Sequence, residues 1–331
     1  MTAPARPWLA PLAPAYRLAL GFRELALRSG MEPVRRLRRP VISIGNLSTG
    51  GAGKTPLTIT LAKALARRGI RVDVLSRGYG RSSHMAMRVD PAGTAEQFGD
   101  EPLEIARATG VPVYVAARRY EAGMLAEAGD SSDSLAGVHL LDDGFQHRQL
   151  HRDVNILLLT ARDFEDALLP AGNLREPLQA LHRATCIAIP AEEEGVEARL
   201  KNLDWRGPIW RIRRHMEVPA IDGAVVAFCG IARPEQFFAG LEAGGVHIAA
   251  RLAFADHHRY GAFDVERLIR TREKNGAAAC ITTEKDRARL GTLAESLPLK
   301  TAELRMEIEE EDTAVELLMK TAGLPQSSSW R

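Results

Sequence analysis

The residues best equipped for chemistry in this sequence lie in GNLSTGGAGKTP, residues 45–56. A Lys-Thr pair behind a run of glycines has the composition of a phosphate-binding loop. In such a loop backbone N–H groups converge on phosphate oxygens at a helix N-terminus. The lysine adds a point charge at the β/γ-phosphates, and the threonine hydroxyl ligates Mg²⁺. The usual pattern G-x-x-x-x-G-K-[ST] has an earlier glycine where this chain has Ser48; the adjacent Gly50 and Gly51 supply the flexibility instead. On this reading Ser48, Thr49, Gly50, Gly51, Ala52, Gly53, Lys54 and Thr55 hold a nucleotide's phosphates. A second set, Asp142 and Asp143 in GVHLLDDGFQH (137–147), closes an apolar run. Acids placed so at a strand's C-terminal end, beside a phosphate loop, read as Mg²⁺ ligands together with Thr55. Taken alone, Asp-Asp-Gly also fits a simple turn. Transfer to a hydroxyl further needs a carboxylate or histidine near the acceptor. Asp100 and Glu101 in FGDEP (98–102) and His257 and His258 in FADHHRY (254–260) stand at loop positions and are candidates. Each by itself fits a helix cap or a solvated loop equally well.

Such groups must be carried by elements that the apolar pattern reveals. VISIG reads as a buried strand before the phosphate loop, and KTPLTITLAKALARRG as a helix after it. From Pro40 onward short apolar runs alternate with helical ones. Strands are expected at 41–45, 70–76, 111–116, 138–142, 154–160 and 184–189, and helices at 54–68, 101–109, 118–128 and 192–202. The strand runs are continuous rather than alternating, as in a mostly parallel sheet covered by helices on both faces. A second alternating set follows: strands 224–229, 246–252 and 278–282, with helices 234–242, 263–274 and 284–290. IWRIRRHMEVPAIDG, between the two sets, is mixed, strand-like and a candidate linker.

Composition narrows the class. The chain has 331 residues, 45% hydrophobic and 26% charged, which allows two lobes with substantial cores. Its net charge of +2 is too small to indicate nucleic acid as a partner. The positive charge is local: residues 1–39 hold eight arginines against Glu24 and Glu32. Within them Ala15–Ser29 has a helical pattern with a broad apolar face. That pattern fits an interfacial helix on an anionic membrane, and it fits equally a helix packed on the core. No run is long and apolar enough to span a bilayer, and no secretory signal is apparent. Cys186, Cys229 and Cys280 lack metal or redox spacing and read as buried thiols.

A nucleotide site alone is compatible with a membrane-associated switch ATPase of the partition or septum-positioning type. Those variant loops usually carry Lys before Gly-Gly, where this chain has Thr49, and the N-K-x-D guanine signature is absent. Taken with SRGYGR (76–81), LPAGNLREP (169–177) and TTEKD (282–286), the motifs above run in one order over about residues 15–290, and the chain resembles the tetraacyldisaccharide 4′-kinase family, the lipid A 4′-kinases of Gram-negative bacteria. The resemblance implies a P-loop nucleotide-binding lobe and a second, smaller α/β lobe joined by a two-stranded linker. It implies ATP and Mg²⁺ as cofactors and transfer of the γ-phosphoryl group to the 4′-hydroxyl of a membrane-embedded tetraacyldisaccharide 1-phosphate. The work would be done at the cytoplasmic face of the inner membrane, with no obligate protein partner. The divisions would then be an N-terminal membrane-association helix (1–39), the nucleotide-binding domain (40–208), a linker strand (209–222) and the second lobe (223–331) with a return strand near 301–308. Asp100 resembles the family's catalytic base and His257 its partner, with His258 the alternative; Lys54 neutralises phosphate charge. Arg77, Arg81, Arg118, Arg119 and Arg175 are candidates for holding the acceptor's 1-phosphate.

Overall fold

The structure, a computed structural model, describes residues 6–50, 53–128, 137–231 and 233–325. A 3₁₀ turn (Pro7–Leu12) leads into α1 (Ala13–Arg28). The first lobe then runs β1 (Val41–Asn46), α2 (Lys54–Arg67), β2 (Arg71–Ser76), β3 (Met87–Arg88), α3 (Ala95–Phe98), α4 (Asp100–Thr109), β4 (Val113–Val115), α5 (Arg119–Ala128), β5 (Gly137–Asp142), β6 (Val154–Leu158), β7 (Cys186–Pro190) and α6 (Val196–Asn202). β8 (Ile209–Glu217) leads into the second lobe. There follow β9 (Val225–Cys229), α7 (Pro234–Ala243), β10 (Ile248–Ala253), α8 (Ala262–Lys274), β11 (Ala279–Thr283) and α9 (Glu284–Leu290). β12 (Leu299–Ile308) returns to the first lobe, and α10 (Glu311–Thr321) follows it.

One sheet crosses the molecule in the order β10-β9-β11-β12-β8-β7-β6-β1-β5-β2-β4-β3. Its ladders are parallel except β3–β4 and β8–β12. The parallel strands are apolar throughout because helices cover both faces: Ile42, Ile44, Val74, Leu140 and Ile156 are fully buried. β8 and β12 differ. Their burial alternates along each strand, since one face of the pair is open, and they pair antiparallel from Ile212–Ile308 to Glu217–Glu303. This pair carries the sheet from one lobe to the other.

The core beneath α2 and α4 gathers Ile42, Leu57, Leu61, Leu103 and Val138, and α10 adds Val315 and Leu318 to it. The C-terminal helix therefore packs on the first lobe, fastened to α2 by Arg67–Glu311 at 2.6 Å and by Arg68–Asp312. In the second lobe Phe228 and Leu268 fill one side of the sheet, and Phe237, Phe238 and Leu241 the other. Cys186, Cys229 and Cys280 are buried free thiols. Among the described residues no helix is long and apolar enough to cross a membrane.

Candidate active site

The phosphate loop leaves β1 and enters α2 through Gly53, whose φ of 92° favours glycine, as does the φ of 95° at Gly50. Gly45 is required by close approach: a Cβ there would lie 2.5 Å from that of Phe145. LPAGNLREP runs alongside and templates the loop. Thr49 N donates to Asn173 O (2.8 Å), and Arg175 N donates to Leu47 O (2.7 Å). Ser48, in the missing glycine's place, is buried and bridges to Leu174. Lys54 and Thr55 occupy the first turn of α2, whose N–H groups have no partner inside the helix. Gly51 and Ala52, expected to contribute, lie outside the described residues.

Register places Asp142 and Asp143. β5 pairs with β1 so that Asp142 stands level with Ile44, one strand from the loop. Asp142 is buried, and Thr58 Oγ1 lies 3.2 Å from its Oδ1. Burial, then the charges of Glu101 and Asp143, push its pKa up to about 7. Asp143 goes the other way. Burial would raise it, but Lys54 at 3.7 Å and a two-pronged Arg175 at 3.0 and 2.9 Å hold it at about 2. Arg175 also donates to Asn46 Oδ1, so a single guanidinium ties the Asp142-Asp143 turn to the end of β1.

These residues suit Mg²⁺ bound with a nucleotide. Two carboxylates and a hydroxyl are hard oxygen donors, and the raised pKa of buried Asp142 shows that the charge of Lys54 does not offset its burial and its acidic neighbours. Among the described residues no larger group of His, Cys, Asp or Glu forms a ready metal cage. Mg²⁺ normally completes its shell with water and phosphate. The loop's glycine conformations and the lysine fit a triphosphate in the same way.

The other half of the site crosses from the second lobe. Asp100 begins α4, where the helix dipole favours a negative charge. The turn before it is set by Gly99, φ 92°, where a Cβ would meet Gly78 and Tyr79 backbone atoms of SRGYGR at 3.0 Å. His257 Nδ1 lies 3.2 Å from Asp100 Oδ2. His257 holds a φ of 57°, which turns it toward the cleft. His258 turns inward instead, 3.0 Å from Asp264 and stacked on Phe254. The hydrogen bond to Asp100 is the main reason the His257 pKa is raised. Burial pulls Asp100 upward, but His257 and Arg289 together bring it below the ordinary carboxylate range.

Two residues that the sequence reading did not select complete this half. Arg289 reaches Asp100 from α9 at 2.7 Å. Lys285, one helical turn earlier, lies 3.6 Å from Glu101 and 3.5 Å from Glu104. Their four-residue spacing on a short helix was the available signal. The α4 N-terminus adjoins Asp142 electrostatically: Glu101 acts on Asp142, and Asp142 acts on Lys285. Of the arginines offered for an anionic acceptor, Arg175 is occupied by Asp143, Arg81 donates to Met85 O and Arg118 is exposed. Arg119 is different. It is 7% exposed, its Nε has no partner among the described residues, and burial followed by Arg77 lowers its pKa to about 10.

Fold and site together define a two-lobed P-loop phosphotransferase, in which Asp100 of the first lobe meets His257 and Arg289 of the second. Comparison with known proteins narrows this. The family described as tetraacyldisaccharide-1-P 4′-kinase (LpxK) matches residues 5–322. A tetraacyldisaccharide 4′-kinase of Koribacter versatilis is 41% identical over 322 residues, covering 94% of this chain and 97% of the relative. One of Geobacter metallireducens is 40% identical, covering 87% and 90%. The crystal structure of LpxK from Aquifex aeolicus in complex with ATP superposes with a TM-score of 0.77 at 32% identity, covering 96% of this chain and 99% of that one. The chain belongs to the tetraacyldisaccharide 4′-kinase family.

Proposed function

We propose that Asp100 is the general base of the family's reaction, the ATP-dependent phosphorylation of a tetraacyldisaccharide 1-phosphate at its 4′-hydroxyl, and that His257 orients it. The meeting of Asp100 with His257 across the two lobes, 3.2 Å apart, carries this reading. The 4′-hydroxyl gives its proton to Asp100 as its oxygen bonds the γ-phosphorus, and the bridging oxygen departs with ADP. Because such transfers pass through a loose transition state, positioning and charge neutralisation should supply most of the rate. The amides of 48–55 and Lys54 hold the phosphates. Thr55, Asp142 and Asp143 would hold Mg²⁺, which when bound neutralises charge on the transferring group. Arg119, buried with a free donor near these acids, suits the acceptor's own phosphate.

The N-terminal helix serves the acceptor's location. One side of α1 packs Tyr16 and Leu20 on the first lobe. On the other, Leu18, Phe22 and Leu25 form a stripe about 60% exposed, continued by Trp8 and Leu12. Arginines flank it, which fits docking on the anionic cytoplasmic face of the inner membrane. The test is transfer from γ-labelled ATP to tetraacyldisaccharide 1-phosphate, resolved by thin-layer chromatography. A labelled glycolipid that disappears in Lys54→Ala supports the reading. Hydrolysis of ATP without labelled lipid would replace it with a switch ATPase.

A further inference from the structure

Asp100 is held by one oxygen. His257 Nδ1 at 3.2 Å, Arg289 Nε at 2.8 Å and Arg289 Nη2 at 2.7 Å all converge on Oδ2. Among the described residues no side chain donates to Oδ1. We propose that Arg289 is a positioning residue for the base: by filling Oδ2 from the second lobe it leaves Oδ1 as the oxygen that takes the acceptor's proton. This inference rests on the reading of Asp100 as the base.

The guanidinium is well placed to fix a carboxylate rather than merely neutralise it. Arg289 is 7% exposed, and Nη1 donates to Gly230 O at 2.7 Å and to Asp286 Oδ1 at 3.1 Å. Asp286 is itself fully buried, accepting from Gly230 N (3.1 Å) and Thr283 Oγ1 (2.7 Å). Arg289 is thus braced against the second lobe's core and presents a rigid fork to Asp100. His257 is half exposed, sits on a loop and meets Asp100 through Nδ1 alone, which also lies 3.1 Å from Arg289 Nη2. With Arg289 and His257 both on Oδ2, rotation of the Asp100 carboxyl about its last bond would break three contacts at once. A proton arriving at Oδ1 meets an oxygen already fixed in place, which is what efficient transfer requires.

The arrangement has a pH signature. His257 and Arg289 act on Asp100 directly and Asp100 acts on Glu104; behind them stand Asp256 beside His257, Asp286 beside Arg289, and Lys285 beside Glu101 and Glu104. Removing Arg289 takes away a cation and leaves the acids, so Asp100 should protonate at higher pH. As a base it works only when deprotonated, and the acidic limb of turnover should move upward.

The experiment compares the full-length wild type with Arg289→Ala, Arg289→Lys and Asp100→Asn, measuring kcat and KM for ATP from acidic to neutral pH. Arg289→Ala is expected to lower kcat about 10–100-fold, the usual worth of hydrogen bonds to a charged group. KM for ATP should change less than about threefold, and the acidic limb should rise. Arg289→Lys should recover part of kcat and keep the limb near its wild-type position. Unchanged kcat in Arg289→Ala, or a fall with no movement of the limb, overturns the proposal. Should Arg289→Ala fail to melt cooperatively, Arg289→Gln serves the same test. Full turnover in Asp100→Asn would instead remove the base assignment on which the proposal stands; loss there with Arg289→Ala unaffected removes only the role given to Arg289.

Discussion

The two halves of the site are built by different means. In the first lobe each group stands at a strand end or in the first turn of a helix. Ladder register sets Asp142 level with Ile44, and Arg175 ties Asp143 to Asn46. In the second lobe His257, Lys285 and Arg289 reach α4 through side chains alone. The lobes share backbone pairing only where the β8–β12 ladder carries the sheet across. The first half is therefore fixed by backbone geometry, as the proposed grip on phosphate requires. The second meets it through side-chain contacts alone, so on the proposed reading the base is complete only while those contacts hold. Binding and turnover should separate by lobe.

The largest break in this comparison is Lys54→Ala, which strips charge from the preformed half. Phosphorylation of the lipid acceptor should fall about 10³–10⁵-fold, the range for cations that stabilise transferring phosphoryl groups. Retained transfer would remove the phosphate loop from the account. Next is Arg175→Ala, which frees Asp143 from its clamp while leaving the second lobe untouched. The Mg²⁺ concentration for half-maximal rate should rise about 10–100-fold, as when a partner of a metal ligand is lost. An unchanged Mg²⁺ requirement would mean that the clamp does not serve the metal.

A third test keeps both halves and alters only access to the acceptor. Replacing Leu18, Phe22 and Leu25 together with serine should weaken binding to anionic vesicles by about tenfold or more, since each apolar side chain buried is worth roughly 1.5–3 kcal/mol. Thermal stability should hold, because these side chains are exposed in the free protein. Vesicle binding equal to wild type would take the stripe out of the membrane contact. The smallest effect is on the lobe contact itself. Asp100 is lowered, so its contribution is present above the ordinary carboxylate range and is lost as pH falls through its folded pKa. His257 is raised, so its contribution is full below its ordinary value and is lost as pH rises through the folded one. Hydrogen-exchange protection of α9 should peak between these limits and drop about two- to five-fold outside them, as expected for a partly exposed pair. A flat profile would show that the Asp100–His257 contact does not couple the lobes.

Much of the preformed half was legible in the sequence because local signals agree there: a buried strand, a glycine-rich turn and a helix in succession, then an apolar run ending in Asp142-Asp143. The second half was less so. Asp100, His257 and His258 could be named, but two adjacent histidines differ only in backbone conformation. The φ of 57° that sends His257 outward and His258 toward Asp264 has no signature in residue type. Arg289 was not selected for a related reason: its four-residue spacing from Lys285 marks a shared helix face, but nothing in TTEKDRARL says which helix that face meets. Arg175 was visible as a cation but not as the clamp of Asp143, which depends on LPAGNLREP folding beside the phosphate loop. β3 spans two residues, too few for a period. α10 follows the linker strand directly, and its return to α2 depends on the β8–β12 pairing that brings it there.

The central claim is that ATP is gripped by one lobe and its transfer enabled by the other. It is tested most directly by single-turnover transfer from labelled, Mg²⁺-bound ATP in Asp100→Asn, with nucleotide affinity measured on the same preparation. The account predicts affinity within about threefold of wild type and a transfer rate lower by about 10²–10⁴-fold, the usual worth of a general base. Transfer at the wild-type rate, or loss of ATP binding with it, would contradict the division.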